Sequence, residues 1–343
     1  MLPQASTDGS GSRAMTTRWG VAGTGGMAAA FLADFVHAPT HEVVAIGSRN
    51  RERAQGFAEH WGAAAMTYAE LVTADLDVLY VATPHPQHRD LALAAIRNGT
   101  PVLVEKSFTA TLDGAREVVA AARDAGVFCM EAMWTLFLPK FDVVRQVLDT
   151  GVLGRIVAAH ADMGERFDEP HRILRPDLAG GPLLDLGTYA ATFATWTLGA
   201  PTEVTALATP APNGINGQLA IALSTQSGAT ASLHTTILAD TATRASVIGT
   251  QGRIDLETRF YLPGPMTLHQ RGGPSLSWAE PMVEHDALHF EAAEVARRVA
   301  AGQTGSPLRP WADTVQTMQV MDRVRGATGL DFEQARADRE TAV

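Results

Sequence analysis

Two kinds of hydrophobic pattern divide this chain. From residue 18 to about residue 134, short solid apolar runs alternate with segments of helical spacing. The runs include WGVA at 19–22, VVAI at 43–46, VLYV at 78–81, VLV at 102–104 and VFCM at 127–130. Apolar runs this short, bounded by glycine, proline or charge, read as strands buried on both faces, as in a parallel sheet covered by helices. Strands are therefore predicted at 18–22, 42–47, 77–81, 101–104 and 127–130, with helices reaching Val36 after the first strand and spanning Leu91–Arg97 and Leu112–Asp124. Past residue 200 the pattern changes to true alternation. Ala231, Leu233, Thr235 and Ile237 fall on one side, and Thr230, Ser232, His234 and Thr236 on the other. Such a strand packs one face and leaves the other small and polar, so an antiparallel sheet is expected over 202–269. Two helices, 287–301 and 311–325, are expected to close the chain.

The first strand runs into a glycine cluster, RWGVAGTGGMAAAF at 18–31, which reads as strand, tight turn and helix. Gly23, Gly25 and Ala28 spell G-x-G-x-x-A. Gly23 permits the turn, Gly25 lets a pyrophosphate approach the backbone, and Ala28 allows close packing of helix on strand. The phosphates are expected at the helix start formed by Gly25, Gly26 and Met27, where free N–H groups and the positive end of the dipole attract negative charge. The fold class is α/β. It comprises an N-terminal Rossmann dinucleotide-binding domain (18–134) and a C-terminal α+β domain (135–330) with a large, mostly antiparallel open sheet. A disordered leader (1–17) and a tail (331–343) flank them.

The second strand delivers Ser48 and Arg49 to the edge carrying the glycine turn, and Arg53 follows in the next helix. An NAD-preferring domain holds a carboxylate there for the ribose 2′-hydroxyl; a guanidinium instead suits the 2′-phosphate of NADP. NADP is thus the expected cofactor, with NAD weaker. The third strand ends in Thr83-Pro84-His85-Pro86-Gln87-His88, a loop held extended by its prolines and expected to pass near the nicotinamide. The fourth ends in Glu105-Lys106, which puts the amine in the ligand crevice. Trp134 is either core or the roof of a substrate pocket, and Met163 and Tyr261 are further pocket candidates. Gly180-Gly181-Pro182 is expected to open a helix in which Asp185 and Tyr189, four apart, share one face.

Composition narrows the partners. The net charge is −10 over 343 residues, and no long basic run gathers the Lys or Arg, so neither nucleic acid nor an anionic membrane is an expected partner. No apolar run approaches the ~18 residues of a membrane-spanning helix. The single cysteine, Cys129, lies in an apolar strand and fits a reducing cytoplasm. No metal is expected, because His85 and His88 lack a third ligand at a suitable spacing and HDALH at 285–289 lacks the Glu of H-E-x-x-H. Met15, just before the first strand, is the expected translation start.

Taken together, G-x-G-x-x-A, Ser48-Arg49, TPHPQH, Glu105-Lys106 and GGPLLDLGTY resemble the glucose-fructose oxidoreductase and inositol dehydrogenase (Gfo/Idh/MocA) family from about residue 18 to 326. EAMWTLFLP and DLGTY resemble its dimeric dihydrodiol dehydrogenase and NADP-dependent D-xylose dehydrogenase branch, although Ser107 stands where the family has the proline of E-K-P. The resemblance implies that Lys106, Asp185 and Tyr189 are catalytic. It also implies a homodimer, for which the polar sheet face supplies a surface. The substrate class implied is a cyclic polyol, sugar or trans-dihydrodiol. Oxidising a secondary alcohol needs a base, and Lys106 could lower the phenol of Tyr189 enough to serve. Lys106 itself is the rival proton carrier, and Asp185 either orients the amine or binds a substrate hydroxyl. The alternative function is a cofactor-binding regulator of the same fold without the reaction.

Overall fold

A computed structural model describes residues 2–3, 16–211, 215–257, 259–279 and 287–330. Most of the expected leader, including Met15, lies outside the described residues, as do the tail and His285. The described chain divides into two compact units, one formed by 16–134 with 287–314 and the other by 135–279 with 315–330.

The first unit opens with β1 (Thr17–Ala22), α1 (Gly26–Ala33), β2 (His41–Ser48), α2 (Arg51–Trp61), β3 (Ala64–Thr67) and α3 (Tyr68–Leu71). β4 (Val78–Val81), α4 (His88–Arg97), β5 (Val102–Glu105), α5 (Leu112–Ala125) and β6 (Cys129–Ala132) follow. All strand pairs are parallel, in the order β3-β2-β1-β4-β5-β6. This is the doubly wound arrangement, in which ligands bind outside the carboxyl ends of the strands. Every residue of β4, β5 and β6 is buried, as their solid apolar runs require. On the sheet, Phe31 of α1 stacks on Tyr80 at 3.9 Å between centroids and meets Trp19 edge-on at 5.4 Å. β3 and α3 were not expected. β3 is a four-residue edge strand whose residues are at most half-buried.

The second unit begins with α6 (Pro139–Asp149) and β7 (Ile156–Gly164). A π-helical turn, Leu183–Gly187, then leads into α7 (Thr188–Leu198). β8 (Pro201–Pro210), β9 (Asn216–Thr225), β10 (Thr230–Thr236), β11 (Ala245–Gly249), β12 (Gly252–Leu256), β13 (Met266–Gln270) and β14 (Ser275–Trp278) complete an eight-stranded sheet. Its order is β14-β13-β12-β11-β7-β10-β9-β8, antiparallel except for β7 with β10. The alternation in β10 is realised over most of the strand: Ala231, Leu233 and Thr235 are buried on the face covered by α7, while Thr230 and Ser232 are exposed and His234 is half-buried; Thr236, expected on the open side, is buried at the strand's end.

Residues 287–314, placed by the linear reading in the second domain, cluster with the first unit. Polar anchors distant in sequence hold them there. The Leu288 amide donates to Asp34 at 2.6 Å, just before α8 (His289–Ala300), and Trp311 Nε1 donates to the Cys129 carbonyl at 2.7 Å. The last helix, α9 (Trp311–Thr328), belongs to the second unit from Val315 onward; Arg323 there donates to the carbonyls of Pro201 and Thr202.

Candidate functional site

At the carboxyl edge of the parallel sheet the glycine turn has the form its sequence demands. Gly23 adopts φ +123°, and a Cβ there would stand 2.4 Å from the Ala82 carbonyl oxygen, so no other residue fits. Gly25 and Gly26 are exposed, and a Cβ on either would meet nothing within 4 Å. Gly25 caps α1 without a side chain, and the first turn carries no acid, so its N–H groups remain available to an anion. Met27 is half-buried and Ala28 fully buried against the sheet.

At the end of β2, Ser48 is buried and Arg49 exposed. Asn50 caps α2 by accepting the Glu52 amide at 2.8 Å, and the Arg51 guanidinium is engaged by Glu70. Arg49 and Arg53 both approach Tyr68, where burial raises the phenol and their charges oppose the rise. This edge therefore gathers two arginines and a tyrosine, and no carboxylate occupies the Ser48-Arg49 position.

The ends of β4 and β5 are tied together. His88 is buried, with Nε2 2.7 Å from the Thr83 carbonyl and Nδ1 2.9 Å from that of Ser107. Both ring nitrogens are thus engaged by backbone, and the ring is a strut between two loops at the strand ends where the cofactor is expected. His85 is buried with its ring 5.5 Å from that of His88, and Pro84 precedes it in an extended conformation. Among the described residues, the Thr83 hydroxyl and the Gln87 side-chain oxygen are buried without a hydrogen-bond partner. Orphaned polar atoms of this kind, beside an uncapped helix start, fit a polar ligand such as a dinucleotide.

Glu105 is buried at the end of β5. Its carboxylate turns inward, accepting the Tyr80 hydroxyl and, at 3.2 Å, the Lys106 amide. It anchors the turn, and Lys106 is half-buried at the strand end, where the Lys106–Ser107 peptide is cis. Behind this turn lies a charge cluster that sequence reasoning missed. Glu131 accepts Arg309 at 2.6 and 2.9 Å and the Phe108 amide at 3.0 Å, and both side chains of the ion pair are only 1% exposed. Glu291 of α8 is buried, and among the described residues neither carboxyl oxygen has a hydrogen-bond partner. Burial first, then the charges of Glu105 and Glu131, push its carboxyl well above the usual range. Nothing in the spacing of these residues links them.

In the second unit Asp185 lies in the π-helical turn and Tyr189 in the first turn of α7, so the single regular helix expected across both is replaced by two geometries. The wide turn packs on the sheet at Gly187, where a Cβ would lie in ordinary contact, 3.4 Å from both the Pro182 carbonyl oxygen and the Thr235 methyl. Asp185 is buried, and Arg172 binds both its oxygens, Nη1 reaching Oδ2 at 3.1 Å. Tyr189 is buried, and its ring lies 4.9 Å from that of Tyr261 at 39°. Met163 is buried in β7. Trp134, which is buried, and Lys106 belong to the first unit.

Comparison with known proteins is consistent across both units. A family model described as "Oxidoreductase family, NAD-binding Rossmann fold" matches residues 17–133, and one described as "GFO/IDH/MocA C-terminal domain" matches 141–255. Trans-1,2-dihydrobenzene-1,2-diol dehydrogenase of Mus musculus is 31% identical, over 93% of this chain and 99% of its own length. Among solved structures, the 3-ketoreductase KijD10 of Actinomadura kijaniata, in complex with NADP and TDP-benzene, is 27% identical with a TM-score of 0.81, covering 91% of this chain and 98% of its own. That enzyme has also been solved with a lysine or a tyrosine replaced. A levoglucosan dehydrogenase, in complex with NADH and levoglucosan, shares the fold at 17% identity and a TM-score of 0.84, covering 91% of this chain and 97% of its own.

Proposed function

Because the chain belongs to the Gfo/Idh/MocA oxidoreductase family, we propose that it is an NADP-dependent dehydrogenase or ketoreductase of a cyclic polyol, sugar or trans-dihydrodiol hydroxyl. The observation that carries this reading is the carboxyl edge of the parallel sheet, where an uncapped helix start, orphaned Thr83 and Gln87, and Arg49 with Arg53 await an anionic, polar ligand. Gly25 and Gly26 would hold the diphosphate, Arg49 and Arg53 the 2′-phosphate, and Thr83 and Gln87 the half nearer the reaction. When bound, the cofactor accepts or supplies the hydride.

The chain's own residues handle the proton. Tyr189 is the base in oxidation and the acid in reduction. Its phenol, ordinarily near ~10, becomes a usable base when an ammonium stabilises the phenolate, and Lys106 has that part. Asp185 is ill suited to carry the proton, since a carboxylate gripped at both oxygens by Arg172 is stabilised in its charged form. It serves instead as a fixed acceptor for a substrate hydroxyl. The similarity to dihydrodiol dehydrogenases and to a nucleotide-sugar ketoreductase supports ring substrates.

We further propose a homodimer closed over the open sheet face, and residence in the cytoplasm, where the lone, fully buried Cys129 stays reduced. Among the described residues no helix is long and apolar enough to cross a membrane.

The test is an NADP reduction screen over aldoses, inositols and trans-dihydrodiols, followed by Tyr189→Phe and Lys106→Met. Tyr189→Phe keeps the ring but removes the proton-bearing oxygen, so NADP binding should survive while turnover falls by about 10²- to 10⁴-fold. Near-normal turnover in Tyr189→Phe would move the role to Lys106. No turnover by the parent on any of these substrates would favour the regulator.

A further inference from the structure

Lys140, the second residue of α6, is fully buried, although the chemistry above does not use it. Taking an ammonium out of water is strongly unfavourable unless hydrogen bonds replace the lost hydration. Here Nζ donates to the Leu262 carbonyl, while the Thr135 hydroxyl donates to the adjacent carbonyl of Tyr261. Gly264 lies against the ammonium, since a Cβ on it would be 3.8 Å from Nζ, so the Tyr-Leu-Pro-Gly-Pro segment at 261–265 wraps around the charge.

Two donors on successive carbonyls fix the direction of that backbone, and three further contacts hold its N-terminal side. The Leu262 amide bonds the Arg259 carbonyl at 2.9 Å, the Phe260 amide bonds the Thr243 carbonyl at 3.0 Å, and the Phe260 ring packs edge-on against Phe193 at 5.8 Å. The result is the placement of the Tyr261 ring against that of Tyr189. An apolar residue at 140 could fill the same volume but could not hold the carbonyl.

We propose that Lys140 is a positioning residue, assisted by Thr135, that sets specificity for ring substrates by holding Tyr261 as the flat wall beside the Tyr189 hydroxyl. This rests on the reading of Tyr189 as acting on substrate. A ring presents a broad C–H or unsaturated face to such a wall, whereas an open-chain alcohol gains little from it.

The test uses the full chain with NADP and compares Lys140→Met, Tyr261→Ala and the double variant. Losing a hydrogen bond from a charged donor should raise KM for the best ring substrate by about tenfold or more in Lys140→Met. The change in kcat should be smaller, NADPH affinity unchanged, and the preference for ring over open-chain alcohols reduced. Tyr261→Ala should raise KM similarly, and the double variant should add little, because both remove one wall. Unchanged KM in Lys140→Met, or fully additive losses in the double variant, overturns the proposal. If Lys140→Met does not fold, Thr135→Val should still raise KM in the same direction, and an unchanged KM there overturns it equally. An inactive parent protein fails the reading of Tyr189 and this proposal with it; an active parent with a normal Lys140→Met fails only the proposal.

Discussion

The six-stranded and eight-stranded sheets differ in what lies on their faces, and that difference tells where each unit can bind. In the parallel sheet, β4, β5 and β6 are buried throughout, so only the carboxyl ends of its strands reach a ligand. The chain concentrates its polar chemistry at that edge and seals the charges behind it. The eight-stranded sheet instead covers one face with α7 and leaves Thr230, Ser232, Ala220, Ala222 and His160 exposed on the other. One sheet binds by its edge; the other offers a face.

Ion pairs provide the first way to test this contrast. Glu131 and Arg309 of the first unit are 1% exposed, whereas Arg253 and Asp255 of β12 are 50% and 25% exposed. Removing one partner of a buried pair strands the other charge, so Arg309→Met should cost about 3–5 kcal/mol of stability. Arg253→Ala should cost about 0–1 kcal/mol. Chemical denaturation of both variants measures the difference, and equal losses would mean that the first unit does not seal its charges.

The exposed face yields the next effect. Ser232→Arg adds a charge that two-fold symmetry would repeat across a dimer, so the dissociation constant should rise by about a hundredfold or more with the fold intact. Sedimentation checks it. A parent already monomeric at micromolar concentration would leave that face without its proposed partner.

Much of this was legible in the sequence, for identifiable reasons. Solid runs such as VLYV and the alternation in β10 report burial on two faces and on one, and the order of elements follows from them. Gly23 was legible because its φ and its approach to Ala82 admit only glycine. The edge strand β3 offered only a short run of mostly small residues at 64–66, yet Thr67 and Glu70 form a capping box that announces α3 in sequence as T-x-x-E. The inward turn of Glu105, the strut role of His88 and the cluster with Glu131, Glu291 and Arg309 were not legible. Each depends on at least one partner 19 or more residues away, which no local pattern records.

The cofactor edge sharpens the contrast further, because arginines close in sequence should behave differently. Arg49→Ala should lose about 1.5–3 kcal/mol of NADP binding and most of the preference over NAD, as expected for a charged contact to the 2′-phosphate. Arg51→Ala should leave that preference intact, since Arg51 is taken by Glu70. Titration with both cofactors decides it; equal affinity for NADP and NAD in the parent removes the assignment.

The smallest effect at any one pH concerns the two buried acids. Arg172 satisfies Asp185 in the second unit, but Glu291 in the first has no such partner, and its carboxyl is held well above its ordinary 4.5 by burial and by Glu105 and Glu131. In the unfolded chain Glu291 ionises near that ordinary value, while in the folded chain it holds its proton to higher pH. The folded state thus binds more protons over the intervening range. Stability contributed by this group is full below about 4.5, falls as pH rises towards the raised folded value, and levels off above it. Glutamine has no proton to lose, so Glu291→Gln should match the parent near pH 4 and become progressively the more stable protein as the pH is raised to 8. Thermal melts across that range measure the widening gap. A gap of opposite sign would mean that Glu291 is ionised and paired in the folded chain, and the two units would then treat their buried acids alike.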